Sequence, residues 1–104
     1  MPTSPHRVTV QYATPSDPES FEQRYRDEHV PLARALPGLR RFALAHPRAI
    51  QGDAPYLVAE LFFDDAAAMK AALTSPEMAA AGEHAAGLGA QMTIFSGEVI
   101  EVEV

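Results

Sequence analysis

The chain has 104 residues, of which 47% are apolar and 21% are charged, so we expect one soluble globular domain spanning residues 1–104. The formal net charge of −6 disfavours nucleic acid as a partner, and the absence of cysteine excludes disulfides and thiolate metal sites. The first residues lack a signal-like pattern and no apolar run approaches the ~20 residues of a membrane span, so we expect a cytoplasmic protein without a membrane partner.

Alternating apolar residues predict strands, and capped segments predict the helices between them. Val8, Val10 and Tyr12 share one face of the first strand, whereas the third strand is apolar on both faces except at Glu60. The segments Asp17-Pro18-Glu19 and Ser75-Pro76-Glu77 both have a cap, proline and acid at a helix start. In the first half of the chain we predict a frayed end at 1–6, a strand at 7–13, and a helix from Pro18 to about Ala35 that is kinked or broken at Pro31. Strands at 39–46 and 56–63 follow. In the second half we predict a helix at 66–73 capped by Asp64 or Asp65, a helix from 76 toward Gly87, and a strand at 90–104 with a possible bulge at Gly97.

This order, β-α-β-β-α-β, is the split βαβ arrangement of the ferredoxin-like α+β fold, with a four-stranded antiparallel sheet. Helices cover only one face of such a sheet, which leaves the other apolar face of the third strand in need of a partner. The last strand is also about twice as long as the others, and its surplus length can pair with the sheet edge of a second subunit. Both features predict a homodimer.

The first helix carries one apolar stripe that includes a histidine. Phe21, Tyr25, His29, Leu32 and Leu36 follow one another at spacings of four, four, three and four residues, which places them on one face if the helix continues through Pro31. A histidine among core-facing aromatic residues is the sharpest chemical signal of the sequence.

The run FEQRYRDEHVPLARALPGLRRF resembles the hallmark of the EthD-like group of the dimeric α+β barrel superfamily. That hallmark is F-x-x-x-Y-x-x-x-H-x-P-L followed by P-G-L and a strand. It is matched by Phe21, Tyr25, His29, Pro31, Leu32, Pro37, Gly38 and Leu39. The resemblance covers roughly residues 7–104, and it implies a dimer whose two sheets form a barrel, with a small-molecule pocket between sheet and helices in each subunit.

Related methylmuconolactone isomerases use the histidine that corresponds to His29, together with a cysteine on the third strand and a histidine in the preceding loop. Leu61 occupies the cysteine position here, and the loop Gln51-Gly52-Asp53-Ala54 has no histidine. The isomerase mechanism therefore does not transfer, and only His29 carries over.

Two interpretations of His29 stay open from the sequence. As a general acid or base it has an ordinary pKa near 6.5, which burial or a carboxylate shifts across neutrality. As a core residue it would bond a backbone carbonyl and steady the helix end. The hydroxyl groups of Tyr12 and Tyr25 are candidates for binding a substrate, or else both residues are core aromatics.

The remaining polar residues give weaker signals. Phe42 and Leu61, with Tyr56 and Phe62, are candidate lining residues of an aromatic-friendly cavity, although ordinary packing explains most of them. Glu60 is either a base with a raised pKa or the partner of Arg41 across the hairpin on the open face of the sheet, and we favour the pairing. His46 is expected in a loop and His84 on a helix surface. The histidine spacing predicts no metal site, and the absence of glycine-rich phosphate or dinucleotide motifs predicts no cofactor.

The function predicted on these grounds is that of a cofactor-independent acid/base enzyme of the isomerase, cyclase or oxygenase type, acting on a small apolar or aromatic metabolite. His29 would be the catalytic residue, and the other candidates would bind the substrate. The alternative is a non-catalytic ligand-binding or accessory protein for a neighbouring oxygenase.

Overall fold

The computed structural model describes residues 4–104 and contains an antiparallel sheet with strand order β2-β3-β1-β4. Helices and strands follow one another in the predicted order, so the ferredoxin-like fold is confirmed. Residues 1–3 of the predicted frayed end lie outside the described residues, and His6 already belongs to the first strand. The elements are β1 (His6–Tyr12), α1 (Pro18–Arg24), a π-helical turn (Tyr25–His29), α2 (Val30–Arg34), β2 (Arg41–Ala45), β3 (Leu57–Phe63), α3 (Ala66–Leu73), α4 (Pro76–Ala86) and β4 (Met92–Glu98).

The core lies between the helices and one face of the sheet. Strand β1 pairs with β3 so that Val10 faces Ala59, and with β4 so that Val10 faces Ile94. Alternate residues of β1 and β3 are therefore buried together, while their neighbours point to the uncovered face. The largest fully buried side chains are Tyr12, Tyr25, Phe21, Phe63 and Val8.

The predicted helix starts are confirmed in their hydrogen bonds. The Asp17 carboxylate accepts from the Ser20 amide at 3.2 Å, and the Ser75 hydroxyl oxygen accepts from the Met78 amide at 3.1 Å. Asp65 rather than Asp64 caps α3. Each such cap satisfies an amide that has no partner within its helix. No helix in the described part of the chain is long and apolar enough to cross a membrane.

The first helix departs from the prediction at Tyr25, six residues before Pro31. The chain widens into a π-helical turn, in which the Val30 amide donates to the Tyr25 carbonyl five residues earlier. Pro31 has no amide hydrogen and its ring needs space beside the preceding turn, and a wider turn provides that space. The buried stripe continues through Ala33 to Leu36, and Leu32, which the regular spacing placed in it, is only half-buried.

The predicted long last strand is wrong, because β4 ends at Glu98. The partner strand of β4, β1, begins at His6. The last bond between the two segments is donated by the Val99 amide to the Pro5 carbonyl at 2.8 Å, and beyond it the described residues contain no strand with which β4 could pair. Gly97 pairs with Arg7 in regular register and forms no bulge. The last residues, 99–104, carry exposed Ile100, Val102 and Val104.

On the uncovered face of the sheet, Glu60 forms its ion pair with Arg7 at 3.1 Å, not with Arg41 as expected. Arg7 and Arg41 both lie opposite Phe62, on the two strands that flank β3, and Arg41 places its guanidinium over the Phe62 ring at 5.0 Å instead of pairing with Glu60. This face therefore combines one ion pair with aromatic surface.

Candidate active site

The π-helical turn holds His29 at the end of a row of stacked rings. Phe21 stacks on Tyr25 with 5.6 Å between ring centroids, and Tyr25 lies 4.9 Å from His29. The rings come at intervals of four residues, and the turn keeps His29 on the same buried side as the two aromatic residues before it. Only 6% of His29 is exposed.

A cavity of about 50 Å³ lies between the sheet and the helices α2 and α4, with His29 in its wall. The helix α4 contributes mainly small residues to this wall, which leaves the space unfilled. Exposed Met92 and Ile94 of β4 belong to the lining and connect the cavity with the surface. The lining consists of Val10, Tyr12, His29, Ala33, Leu36, Leu61, Met78, Ala81, Gly82, Ala85, Met92 and Ile94, among which His29 and Tyr12 supply the polar side-chain groups.

A second histidine holds the ring of His29. The Nδ1 atoms of His29 and His84 lie 3.0 Å apart, and the two rings are stacked with 5.2 Å between centroids. On its other side His84 Nε2 lies 3.0 Å from Glu28 Oε1. His29 thus bonds a side chain rather than the backbone carbonyl that its structural interpretation required, and its Nε2 has no hydrogen-bond partner among residues 4–104.

Burial controls the protonation of this site. Burial first, and the charge on His84 second, lower the pKa of His29 to about 4, so the ring is neutral near pH 7. Burial raises the pKa of Tyr12 to about 12, partly offset by a hydrogen bond that its oxygen accepts from Tyr25. The pKa of Tyr25 is raised by burial and by Tyr12, so both phenols stay protonated. The hydrogen bond of Glu28 to His84 lowers the pKa of that exposed carboxyl group.

The five predicted site residues fall into three positions. His29, Tyr12 and Leu61 line the cavity together. Tyr25 lies behind them, with its ring 5.6 Å from that of Tyr12. Phe42 lies opposite Leu61 on β2 and packs against the core, but it is outside the cavity lining.

His84 is the residue of this candidate site that the sequence interpretation misses, because its pattern places it on the helix surface. One signal for it exists in the sequence: α4 starts at a clear cap, and His84 comes three residues after Ala81 and one before Ala85, both of which are buried. The flank of the helix that it occupies is therefore next to the buried face.

A separate polar cluster surrounds His46, which lies in the loop after β2 as predicted. Its Nδ1 donates to the Tyr56 carbonyl at 3.0 Å, and its Nε2 lies 2.9 Å from Glu22 Oε1. The Tyr56 hydroxyl donates to the same carboxylate at 2.8 Å. This cluster ties the loop to α1 and lies outside the cavity. Within residues 4–104 no group of three or more His, Cys, Asp or Glu side chains is arranged to hold a metal ion.

A ferredoxin-like sheet, an apolar cavity and one histidine in the cavity wall define a small α+β protein with a cavity between its sheet and its helices. The family model of the EthD domain matches residues 13–89, so the chain belongs to the EthD family. An uncharacterised 11.0 kDa protein from the thcB–thcC intergenic region of Rhodococcus erythropolis is 38% identical over 74 residues, which cover 69% of this chain and 72% of that relative.

Solved structures share the fold over nearly the whole chain. An EthD family protein from Bacillus halodurans superposes with a TM-score of 0.82 at 27% identity, covering 92% of this chain and 99% of the other. A dimeric ferredoxin-like protein of unknown function from Thermobifida fusca gives 0.71 at 16% identity, with 93% and 92% coverage. A variant of SnoaB, a cofactor-independent oxygenase from Streptomyces nogalater, gives 0.69 at 20% identity, with 96% and 97% coverage.

Proposed function

We propose that this chain is a cofactor-independent enzyme in which His29 acts as a general base on a small apolar or aromatic metabolite, with Tyr12 orienting the substrate. The observation that carries the proposal is a neutral imidazole in the wall of an otherwise apolar cavity, with one ring nitrogen bonded to His84 and the other available. A neutral imidazole within hydrogen-bond reach of a substrate can remove a proton.

The cavity must widen to admit an aromatic ring. A buried cavity that binds benzene has roughly 150 Å³, whereas this one has about 50 Å³. Met78 and Met92 both belong to the lining, and methionine side chains change rotamer easily. We propose that these two side chains move aside when the substrate enters. Tyr25 supports the site from behind by holding the hydroxyl of Tyr12.

The similarity to SnoaB supports the reaction class, because that protein is a cofactor-independent oxygenase. A neutral histidine in an apolar cavity suits the first step of such chemistry, the removal of a proton from an acidic C–H or O–H group of an aromatic molecule. Isomerisation and cyclisation also begin with proton removal, and the proposal includes them.

The second candidate function is non-catalytic binding of a small apolar ligand, for example as an accessory protein of a neighbouring oxygenase. The lining favours this candidate, since most of the twelve side chains are aliphatic and only His29 and Tyr12 present polar groups. In this case His29 would serve only to hold the ligand.

The two functions are distinguished with 5-nitrobenzisoxazole, an apolar aromatic probe. Removal of its one acidic C–H proton breaks the N–O bond and gives a coloured cyanonitrophenolate, so that the base needs no co-reactant. Binding at the cavity is first established from shifts of the Leu61 and Met78 methyl resonances. We then expect the protein to accelerate the ring opening, and His29→Phe to reduce the rate roughly a hundredfold.

His46→Phe is the matched control, because it removes a histidine that lies outside the cavity. It should leave the rate unchanged. If the probe binds at the cavity but its ring opening is not accelerated, or if His29→Phe is as fast as the wild type, the catalytic proposal fails and the binding function is retained.

We also propose that two copies pair through the uncovered faces of their sheets. Phe95 is exposed there, the tail carries the exposed Ile100 and Val102, and the similar Thermobifida fusca protein is dimeric. Light scattering should give twice the chain mass of 11.2 kDa. Phe95→Glu should shift the equilibrium toward the monomer, whereas an unchanged mass for this variant, or a monomeric wild type, would contradict the proposal.

A further inference from the structure

Glu28, His84 and His29 form a continuous hydrogen-bonded row from the surface to the cavity. Both links measure 3.0 Å. Exposure falls along the row: the side chain of Glu28 is 54% exposed and that of His84 is 16% exposed, whereas His29 is 6% exposed. The outer histidine also faces a surface depression that it shares with Arg24 and Glu83.

The direction of the hydrogen bonds fixes the chemistry of the cavity nitrogen. The carboxylate of Glu28 only accepts, so His84 carries its proton on Nε2 and offers Nδ1 as an acceptor when the ring is neutral. His29 must then donate from its own Nδ1 to His84, which leaves the Nε2 of His29 with a lone pair. This is the tautomer that a general base requires.

We propose that Glu28 and His84 form a relay that removes the positive charge from His29 when it accepts a proton. A proton arriving at His29 Nε2 is accompanied by transfer of the Nδ1 proton of His29 to Nδ1 of His84. His29 is then neutral again, with its proton on Nε2, and His84 is an imidazolium that donates to both Glu28 and His29. One proton enters and one crosses, so no co-reactant is needed. Glu28 and His84 are positioning residues, since neither touches the substrate.

This inference rests on the proposed function, and the relay resolves one difficulty of that function. An imidazolium inside an apolar cavity is unfavourable because burial penalises its charge, so His29 alone is a poor proton acceptor. Transfer places the charge on a ring that reaches solvent and has a carboxylate beside it. The proton is therefore held outside the cavity, where it can exchange with water.

The charged groups around the row are compatible with this transfer. Arg24 Nε lies 3.7 Å from Glu28 Oε1, and its Nη1 donates to the Gly87 carbonyl, so this cation is itself paired with the carboxylate. Glu83 borders the same depression and adds a negative charge. On the cavity side the neighbours of His29 are Tyr12 and Tyr25, both neutral phenols.

The test follows the tautomer of His29 by two-bond ¹H–¹⁵N spectra of the histidine rings, in the protein without ligand. At pH 8 we expect the Nδ1–H form of His29. On acidification to pH 5 we expect His29 to change to the Nε2–H form over the same pH range in which His84 gains its proton. A histidine with only a structural role would keep one tautomer throughout the titration.

Two variants separate the parts of the relay. His84→Asn retains an oxygen that accepts from His29 but takes up no proton, so the tautomer change should disappear while the Nδ1–H form persists. Glu28→Gln, at an exposed position that does not endanger folding, should move the tautomer change to lower pH by roughly half a unit. His46→Asn, the control outside the cavity, should leave the tautomer change unaltered.

With 5-nitrobenzisoxazole, His84→Asn should lower kcat roughly tenfold or more at unchanged KM, as a part of the 10²–10⁴-fold that general-base catalysis contributes. The relay is refuted if His29 keeps one tautomer while His84 titrates, or if the change survives in His84→Asn. A wild type that shows the tautomer change but no turnover leaves the relay standing and refutes the proposed function. Turnover without the tautomer change supports the proposed function and refutes the relay.

Discussion

The neutral, buried state of His29 makes the stability of the protein depend on pH in a calculable way. In the unfolded chain His29 takes up a proton near pH 6.5, whereas in the folded protein it does so only near pH 4. Between these values the unfolded state binds more protons, so acidification favours unfolding. The contribution of His29 is fully present above pH 6.5 and is lost as the pH falls toward 4.

The size of the loss follows from the two pKa values. Between pH 7 and pH 5, His29 alone should lower the free energy of unfolding by about 2 kcal/mol, since a pKa difference of one unit corresponds to about 1.4 kcal/mol. This is a large share of the roughly 5–15 kcal/mol that stabilises a typical domain. Most carboxylates titrate below this window, so their effect on it is small.

The assay is urea denaturation of the wild type and of His29→Phe at pH 7 and pH 5. Phenylalanine keeps a planar ring next to Tyr25 but has no proton to gain, so the variant should lose about 2 kcal/mol less than the wild type between the two pH values. The comparison uses the pH dependence of each protein, and it is unaffected by any constant cost of the substitution. Equal losses in both proteins would show that His29 is not held neutral by burial.

Two further predictions concern the helices of the second half. Gly82→Ala should raise the free energy of unfolding by roughly 0.5–1 kcal/mol in urea denaturation, because a Cβ there meets nothing within 4 Å and alanine favours helix. A loss of stability would mean that the cavity wall has no space for this methyl group. Asp65→Ala should lower the free energy of unfolding by about 1 kcal/mol in a thermal unfolding experiment, since the Asp65 carboxylate accepts from the Ala68 amide at 2.8 Å. Asp65→Asn keeps an acceptor and should lose less stability. Equal losses in the two variants would contradict a role of this cap.

The elements of the fold were predictable because their signals are local. Strand β3 was expected at 56–63 and spans Leu57–Phe63, although its two apolar faces did not show which one the helices cover. The helices α3 and α4 begin after the predicted caps, since a cap depends only on residues three or four positions apart. The cavity, in contrast, was expected only from the resemblance to the EthD-like group, because its walls combine side chains of several elements that no local pattern relates.

The features that were missed depend on partners far apart in the sequence. The contact of His29 with His84 joins residues 55 positions apart, and no spacing rule relates them. The end of β4 is set by where β1 begins, so residues 99–104 continue an alternating pattern for which residues 4–104 contain no partner strand. The pairing of Glu60 with Arg7 likewise joins residues 53 positions apart, on two strands that become neighbours only in the folded sheet.

The candidate site arises where the chain gives up regular structure and close packing. Pro31 favours a wide helical turn, and that turn holds His29 beside Tyr25, with 4.9 Å between ring centroids, at the cavity wall. Opposite it, Ala81 and Gly82 of α4 are too small to fill the space beside the sheet. An ordinary helix with larger residues would pack better and would be more stable, so these two departures are costs to folding. They occur on different elements and meet at one cavity, where the second ring nitrogen of a histidine has no partner within the described residues. Independent local costs that converge on one position are best explained by function at that position.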